Sequence, residues 1–348
     1  MQDRPPLRGA LIGCGFFALN QLRAWQDLPG VQIVALCDSQ PERLRAFAEH
    51  CPPAAHFNDA QQMLETLELD FVDIATPTLA HKPLVLMAAR AGVHVICQKP
   101  FAATLSDARL MIDTCAEQGV SLTVHENFRW QAAVRATIEH LRARVIGQAF
   151  FGRVSFRSGF DVYRLQPYLA QTPRFIIEDL GVHVLDIARA LFGDVLRLSA
   201  ETQRVNPAIQ GEDVATILLR HDSGVTCVVD MSYATRLAQD PFPDTLIEVD
   251  GSEGSLRLLA DGRLQIHRGP GRVEEVHVAA SAPAWSEAPW TAIQGSVLRL
   301  QQEWLAHRYA GTPCETQGAD NYCTQALVEA AYAAAASGAV VVPDRYVR

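Results

Sequence analysis

The chain has 348 residues, 49% of them hydrophobic and 20% charged, which supplies ample material for buried cores and excludes a disordered polymer. Its 39 acidic against 30 basic side chains give a formal net charge of −9 and argue against nucleic acid as a partner, since that affinity rests on Lys and Arg neutralising phosphates. The length predicts about two domains, and without a run of about 18 apolar residues no membrane partner is expected.

The first 126 residues alternate short β-rich runs with helical ones. Strands are predicted at 8–12, 32–37, 71–76, 94–97 and 121–125, and helices at 17–28, 41–50, 60–67, 80–91 and 106–118, with Thr78 and Ser106 as N-caps. Such alternation predicts a doubly wound parallel sheet covered by helices on both faces, an α/β dinucleotide-binding domain over 1–126. Helices follow at 131–144 and 178–192. Strand-like runs at 196–205, 214–220, 225–232, 246–249, 255–259 and 264–267 are joined by short turns, and two helices, 291–309 and 320–336, close the chain. Hairpin-sized connections predict an α+β domain over 127–348 with a large, mainly antiparallel open sheet, which binds substrate and mediates assembly.

Eight cysteines are scattered without a C-x-x-C pair, so they read as small apolar fillers, and no metal site is expected. The opening Met1-Gln2-Asp3-Arg4-Pro5-Pro6 lacks the basic-then-apolar order of a secretory signal, and a cytoplasmic protein is expected.

Gly13-Cys14-Gly15-Phe16-Phe17-Ala18 follows the first strand and opens the first helix, the context of a dinucleotide turn. Gly13 permits the tight turn, Gly15 lets backbone approach a pyrophosphate, and Ala18 allows close helix–strand packing; Phe16 and Phe17 belong to the same candidate cofactor site. Asp38 ends the second strand, where a carboxylate accepts from ribose hydroxyls and repels a 2′-phosphate, so NAD is favoured over NADP.

Lys99, in Cys97-Gln98-Lys99-Pro100, lies at the carboxyl end of the strand predicted at 94–97, where ligands of open α/β sheets bind. It is a candidate donor to a substrate hydroxyl, against the alternative of a solvated loop lysine. On the helix from Glu178, the residues Asp179, His183 and Asp186 form a polar stripe beside the apolar one of Leu180, Val184, Ile187, Ala188 and Leu191. His183 is suited to take a proton near neutral pH, with Asp179 to orient it, the alternative being a surface histidine and a helix-dipole aspartate.

With these motifs the chain resembles the Gfo/Idh/MocA family, relatives of glucose–fructose oxidoreductase and inositol dehydrogenase. Cys97-Gln98-Lys99-Pro100 corresponds to the family's E-K-P signature and Asp179-Leu180-Gly181-Val182-His183 to its D-x-x-x-H helix. The resemblance implies an NAD-dependent oxidoreductase acting on a CH–OH group, with Lys99, Asp179 and His183 as the catalytic set. It places Thr76, Pro77, His81, Gln98 and Lys99 near the cofactor, and Asn127, Arg129 and Trp130 near cofactor or sugar. Gln98 departs from the usual Glu and puts a proton relay at that position in doubt. A cis Lys99–Pro100 bond is also implied.

The strings 97–101 and 124–131 are most similar to a branch that oxidises the hemiacetal C1 of a branched pentofuranose to a lactone, which adds Tyr163, Arg164, Arg174 and Tyr233 as candidate substrate contacts. Inositol or other polyol oxidation, a non-catalytic dinucleotide-binding regulator and a glycosidase that uses NAD transiently are the competing readings. Too few predicted helices cover the second sheet, so a homodimer or homotetramer through that sheet is expected.

Overall fold

The computed structural model describes residues 5–347. These divide into two compact units: the described residues through Glu126 together with Val297–Tyr322, and Asn127–Ser296 together with the described residues from Cys323 onward.

In the first unit, six strands, β1 (Leu7–Ile12), β2 (Val31–Cys37), β3 (Ala55–Phe57), β4 (Phe71–Ile74), β5 (His94–Gln98) and β6 (Leu122–His125), pair in the order β3-β2-β1-β4-β5-β6. Every pairing is parallel. The crossovers are α1 (Ala18–Gln26), α2 (Pro41–Ala48), α3 (Ala60–Thr66), α4 (His81–Arg90) and α5 (Leu105–Glu117). The central strands are apolar on both faces because helices cover both, as Ala10, Leu11, Val72, Ile74, Val95 and Ile96 show by having no exposed surface. The strand order reverses between β1 and β4, which puts a switch-point crevice outside their carboxyl ends.

Two details differ from expectation. The cap of α5 is Thr104, whose side chain accepts from the Asp107 backbone nitrogen, whereas Ser106 lies inside the helix; Thr78 opens a single 3₁₀ turn ahead of α4 and makes no side-chain cap. Asp59 caps α3 in the same way as Thr104. Residues Val297–Tyr322, drawn from α8 (Thr291–Ala310), α9 (Gly318–Ser337) and the link between them, belong to this unit. Trp304 explains that return: it packs edge-on against Trp25 at 5.5 Å and against Phe71 at 4.7 Å, completing the core under α1.

The second unit is built on eight strands, β7 (Ala149–Arg157), β8 (Val195–Gln203), β9 (Val214–His221), β10 (Thr226–Ser232), β11 (Leu246–Gly251), β12 (Gly254–Leu258), β13 (Arg263–His267) and β14 (Val273–His277), in the order β14-β13-β12-β11-β7-β10-β9-β8. Only β7 and β10 pair in parallel, so the sheet is mainly antiparallel. Alternation places Ile217, Leu219, Val229, Met231, Ile247 and Val249 on one buried face. There α7 (Val182–Phe192) packs on β7 and β10, and α6 (Ala132–Arg142) on β12 and β13. The other face is open and carries Leu218, 47% exposed, and a ladder in which Arg153 pairs with Asp230 and Glu248, and Arg257 with Glu248 and Asp250.

No helix of the described residues is long and apolar enough to cross a membrane.

Candidate active site

The first unit presents a built dinucleotide cradle. Gly13 has φ +100°, and a Cβ there would lie 2.6 Å from the Ala75 carbonyl oxygen, so the turn requires glycine. Its nitrogen donates to the Cys37 carbonyl at 2.8 Å, fastening the turn to β2. A Cβ on Gly15 would meet open space, and no side chain caps α1, so the helix N-terminus keeps its N–H groups for an anion. Phe16 is 57% exposed, and Phe17 sets its ring edge-on to His125.

Asp38 is buried, with its Oδ2 accepting from the Cys14 backbone nitrogen and its Oδ1 from that of Gln40, both at 2.8 Å. Each oxygen keeps a lone pair for a ribose hydroxyl. Burial pushes the Cys14 and Cys37 thiols up to about 12, so neither is a nucleophile beside the cradle.

Two polar atoms at the carboxyl ends of the strands have no partner although they are buried: Thr76 Oγ1 beyond β4 and Gln98 Nε2 at the end of β5. Orphaned polar groups of this kind are costly unless a ligand satisfies them. Together with the turn and Asp38, they fit a dinucleotide whose phosphates rest on α1. Gln98 turns its Oε1 to the Lys99 backbone nitrogen at 2.8 Å, so an uncharged amide stands at this position. The Lys99–Pro100 bond is cis.

His81 has no exposed surface. Its Nε2 lies 2.8 Å from the Thr76 carbonyl and its Nδ1 3.1 Å from that of Pro100, so the ring sits between the loops that follow β4 and β5, next to Pro77 and Lys99, and in its neutral form donates to one of the two carbonyls. Burial lowers its pKa, against the opposing pull of those carbonyls.

In the second unit, Asp179 lies in a widened π-helical turn, Ile177–Gly181, that leads directly into α7. Such turns re-aim side chains within a helix and recur at functional sites. His183 stands in the first turn of α7, 5% exposed, with its imidazole stacked on Phe128 at 3.8 Å between centroids. Next to Phe128, Arg129 is buried and donates through Nε to Asp186 Oδ2 at 2.6 Å and through Nη2 to Oδ1; Thr324 Oγ1 donates to the same Oδ1 at 3.0 Å. Arg129 is therefore anchored to α7. Asn127 Nδ2 donates to Ser296 Oγ at 2.7 Å, and Trp130 carries the Arg135 guanidinium over its ring.

The remaining predicted contacts fall into two groups. Tyr163 and Tyr233 flank Phe175, with ring centroids 5.6 Å and 5.8 Å from it. Burial raises the Tyr163 hydroxyl to about 12, and burial followed by the Asp179 carboxylate raises that of Tyr233. Both hydroxyls therefore stay protonated and able to donate, and Tyr233 shares the surroundings of Asp179. Arg174, by contrast, is held by Glu329 at 2.7 Å and Glu178 at 3.3 Å and lies over the Tyr332 ring, which commits its charge within the fold. Arg164 is exposed and its backbone nitrogen closes on Asp161. Phe128 and Asp186 have no individual role legible in the sequence, where one is a letter of the 124–131 string and the other an acid of the polar stripe, since an aromatic in a loop and an acid on a helix look like ordinary packing and solvation. Among the described residues no cluster of His, Cys, Asp or Glu is arranged to hold a metal ion.

Residues 7–126 match the model of the Gfo/Idh/MocA oxidoreductase family with an NAD-binding Rossmann fold, and residues 134–257 match the model of that family's C-terminal domain. A D-apiose dehydrogenase of Paraburkholderia graminis is 57% identical, over 96% of this chain and 89% of its own length. Another D-apiose dehydrogenase, of Rhizobium rhizogenes, is 51% identical over 96% of this chain and 97% of its own. The crystal structure of an oxidoreductase from Agrobacterium radiobacter in complex with NAD+, L-tartaric acid and magnesium superposes with a TM-score of 0.94 at 51% identity, covering 97% of this chain and 98% of that one.

Proposed function

The chain belongs to the Gfo/Idh/MocA family of oxidoreductases, and from that premise we propose that it oxidises D-apiose at the hemiacetal C1 to the lactone with NAD+ as acceptor. Its first unit is an NAD-binding Rossmann domain. The two apiose dehydrogenases of Paraburkholderia and Rhizobium support the choice of sugar. The observation that carries the chemistry is the placement of Asp179 and His183 one turn apart where the π-helical turn passes into α7.

In this reading Lys99 donates a hydrogen bond to the reacting hydroxyl and stabilises the negative charge that grows on its oxygen. His183 takes the hydroxyl proton as general base. Asp179 orients the imidazole and favours its protonated form. NAD+, when bound, supplies the acceptor for the hydride that leaves C1. Gln98 contributes hydrogen bonds and no proton relay, because an amide does not titrate. Asn127, Arg129, Tyr163, Arg164 and Arg174 complete the proposed substrate surround, with Tyr163 acting through a protonated hydroxyl and Arg129 and Arg174 through the ion pairs that hold the surrounding turns.

The same reading places the enzyme in the cytoplasm as a homodimer or homotetramer joined through the open face of the second sheet, where Leu218 and the arginine–carboxylate ladder lie. Light scattering at micromolar concentration distinguishes that assembly from a monomer.

Assay with NAD+ and a panel of aldoses and inositols tests the function. D-Apiose is expected to give the highest kcat/KM, and Lys99→Ala and His183→Ala to lower kcat by about 10²–10⁴ while NAD+ affinity changes little. Wild-type turnover in both variants would overturn the assignment of the residues, and absence of NADH with every sugar would overturn the activity.

A further inference from the structure

The turn Phe128–Trp130 is fastened to α7 at two successive side chains. Phe128 lies flat on His183, with the ring planes within 8° of parallel, and Arg129 grips Asp186, three residues further along the same helix face. Thr324 adds a third group to the grip by donating to Asp186. Phe128, His183, Arg129 and Asp186 are all buried, so water does not loosen the arrangement. Beneath the stack Phe156 of β7 tilts toward Phe128 at 6.5 Å.

An imidazole on a helix turns about its Cβ–Cγ bond through a broad and shallow range. A general base tolerates little of that freedom, since proton transfer needs the accepting nitrogen within hydrogen-bond reach of the hydroxyl. A flat ring in contact with one whole face of the imidazole leaves the in-plane nitrogens accessible and blocks rotation out of that plane.

We propose that Phe128 is a positioning residue for His183, its ring held by the Arg129–Asp186 pair so that it fixes the plane of the imidazole that takes the substrate proton. The inference rests on the reading of His183 as the base.

The test compares Phe128→Leu and Phe128→Met, which fill the space without a flat face, with Phe128→Tyr, which keeps the ring. Kinetics are measured with D-apiose and NAD+, the His183 Cε1 proton is followed by NMR, and folding is checked by thermal unfolding. In either aliphatic variant kcat is expected to fall about tenfold, with both KM values within about twofold of wild type. The His183 resonance, displaced upfield by the ring current in the parent, is expected to move downfield. Phe128→Tyr is expected to keep kcat and the upfield position.

Wild-type kcat in a folded Leu or Met variant overturns the inference, as does a loss of equal size in the Tyr variant or in both KM values. His183→Ala, run alongside, separates the two levels. If it turns over normally the base assignment fails, and if it is inactive while the aliphatic variants are unaffected, only the positioning role fails.

Discussion

Asp38 Oδ2 accepts a hydrogen bond from the backbone nitrogen of Cys14 at 2.8 Å, so the carboxylate that follows β2 also braces the middle of the glycine turn. One side chain thus shapes the glycine turn and, in the proposed reading, also offers acceptors to the ribose.

Removing it tests both roles. Asp38→Ala leaves the Cys14 and Gln40 nitrogens without their acceptor and removes a charged hydrogen-bond partner worth about 1.5–3 kcal/mol, so the Kd for NAD+ is expected to rise about tenfold or more. The ratio of kcat/KM for NADP+ to that for NAD+ is expected to rise as the repulsion of a 2′-phosphate disappears. An unchanged ratio would show that Asp38 does not select the cofactor.

Two groups in the first unit should titrate in opposite senses. Burial, followed by the Arg308 cation, pushes His94 down to about 4, and its Nδ1 accepts from the Ser121 backbone nitrogen, a bond lost on protonation there. A depressed histidine contributes stability above its unfolded pKa of about 6.5, and that contribution is lost as pH falls from about 6.5 to about 4. Asp73 has no exposed surface, and burial raises its carboxyl to about 7 against hydrogen bonds from Trp25 and Gln21. Its contribution is complete below the unfolded value of about 3.9 and is lost as pH rises to about 7.

Single variants should separate these limbs. Gln21 Oε1 has no partner, so a rotated Gln21 amide can accept from a protonated Asp73 or from an asparagine in its place. Asp73→Asn is therefore expected to raise the urea midpoint at pH 8 and to leave only the acid limb of His94, whereas His94→Gln is expected to leave only the decline toward alkaline pH. Urea midpoints from pH 4 to 8 check this, and variants that track the parent at every pH would refute it.

Much of this was legible in the sequence. The alternation of apolar runs and turns marks β1, β2, β4, β5 and β6 because buried parallel strands are continuous apolar runs, and the glycine turn and Asp38 follow from their places at strand ends. What escaped has physical causes. β3 is three residues long, β14 (Val-Glu-Glu-Val-His) is exposed throughout and lacks alternation, and β7 carries Gly152 in its interior, where a Cβ would meet Phe192 at 2.4 Å. The second domain is expected over 127–348, whereas Val297–Tyr322 groups with the first unit, because periodicity tells which face of a helix is buried and not against what. The stack of Phe128 on His183 joins residues distant in sequence and has no local signature.

Trp304 makes that return testable. It is buried against Trp25 and Phe71, and truncating a large aromatic in such a core costs about 3–5 kcal/mol. Trp304→Ala is expected to lower the thermal midpoint by several degrees, with a smaller gain from added NAD+ than in the parent. An unaltered midpoint would contradict the packing of this segment under α1.

In the proposed reaction the bond broken is the C–H bond at C1 of the sugar. D-Apiose carrying deuterium at C1, turned over with NAD+ and followed by mass spectrometry of the nicotinamide, tests it directly. One deuterium in each reduced cofactor is expected, with a slower turnover than with unlabelled sugar. Reduced cofactor that contains no deuterium would contradict it.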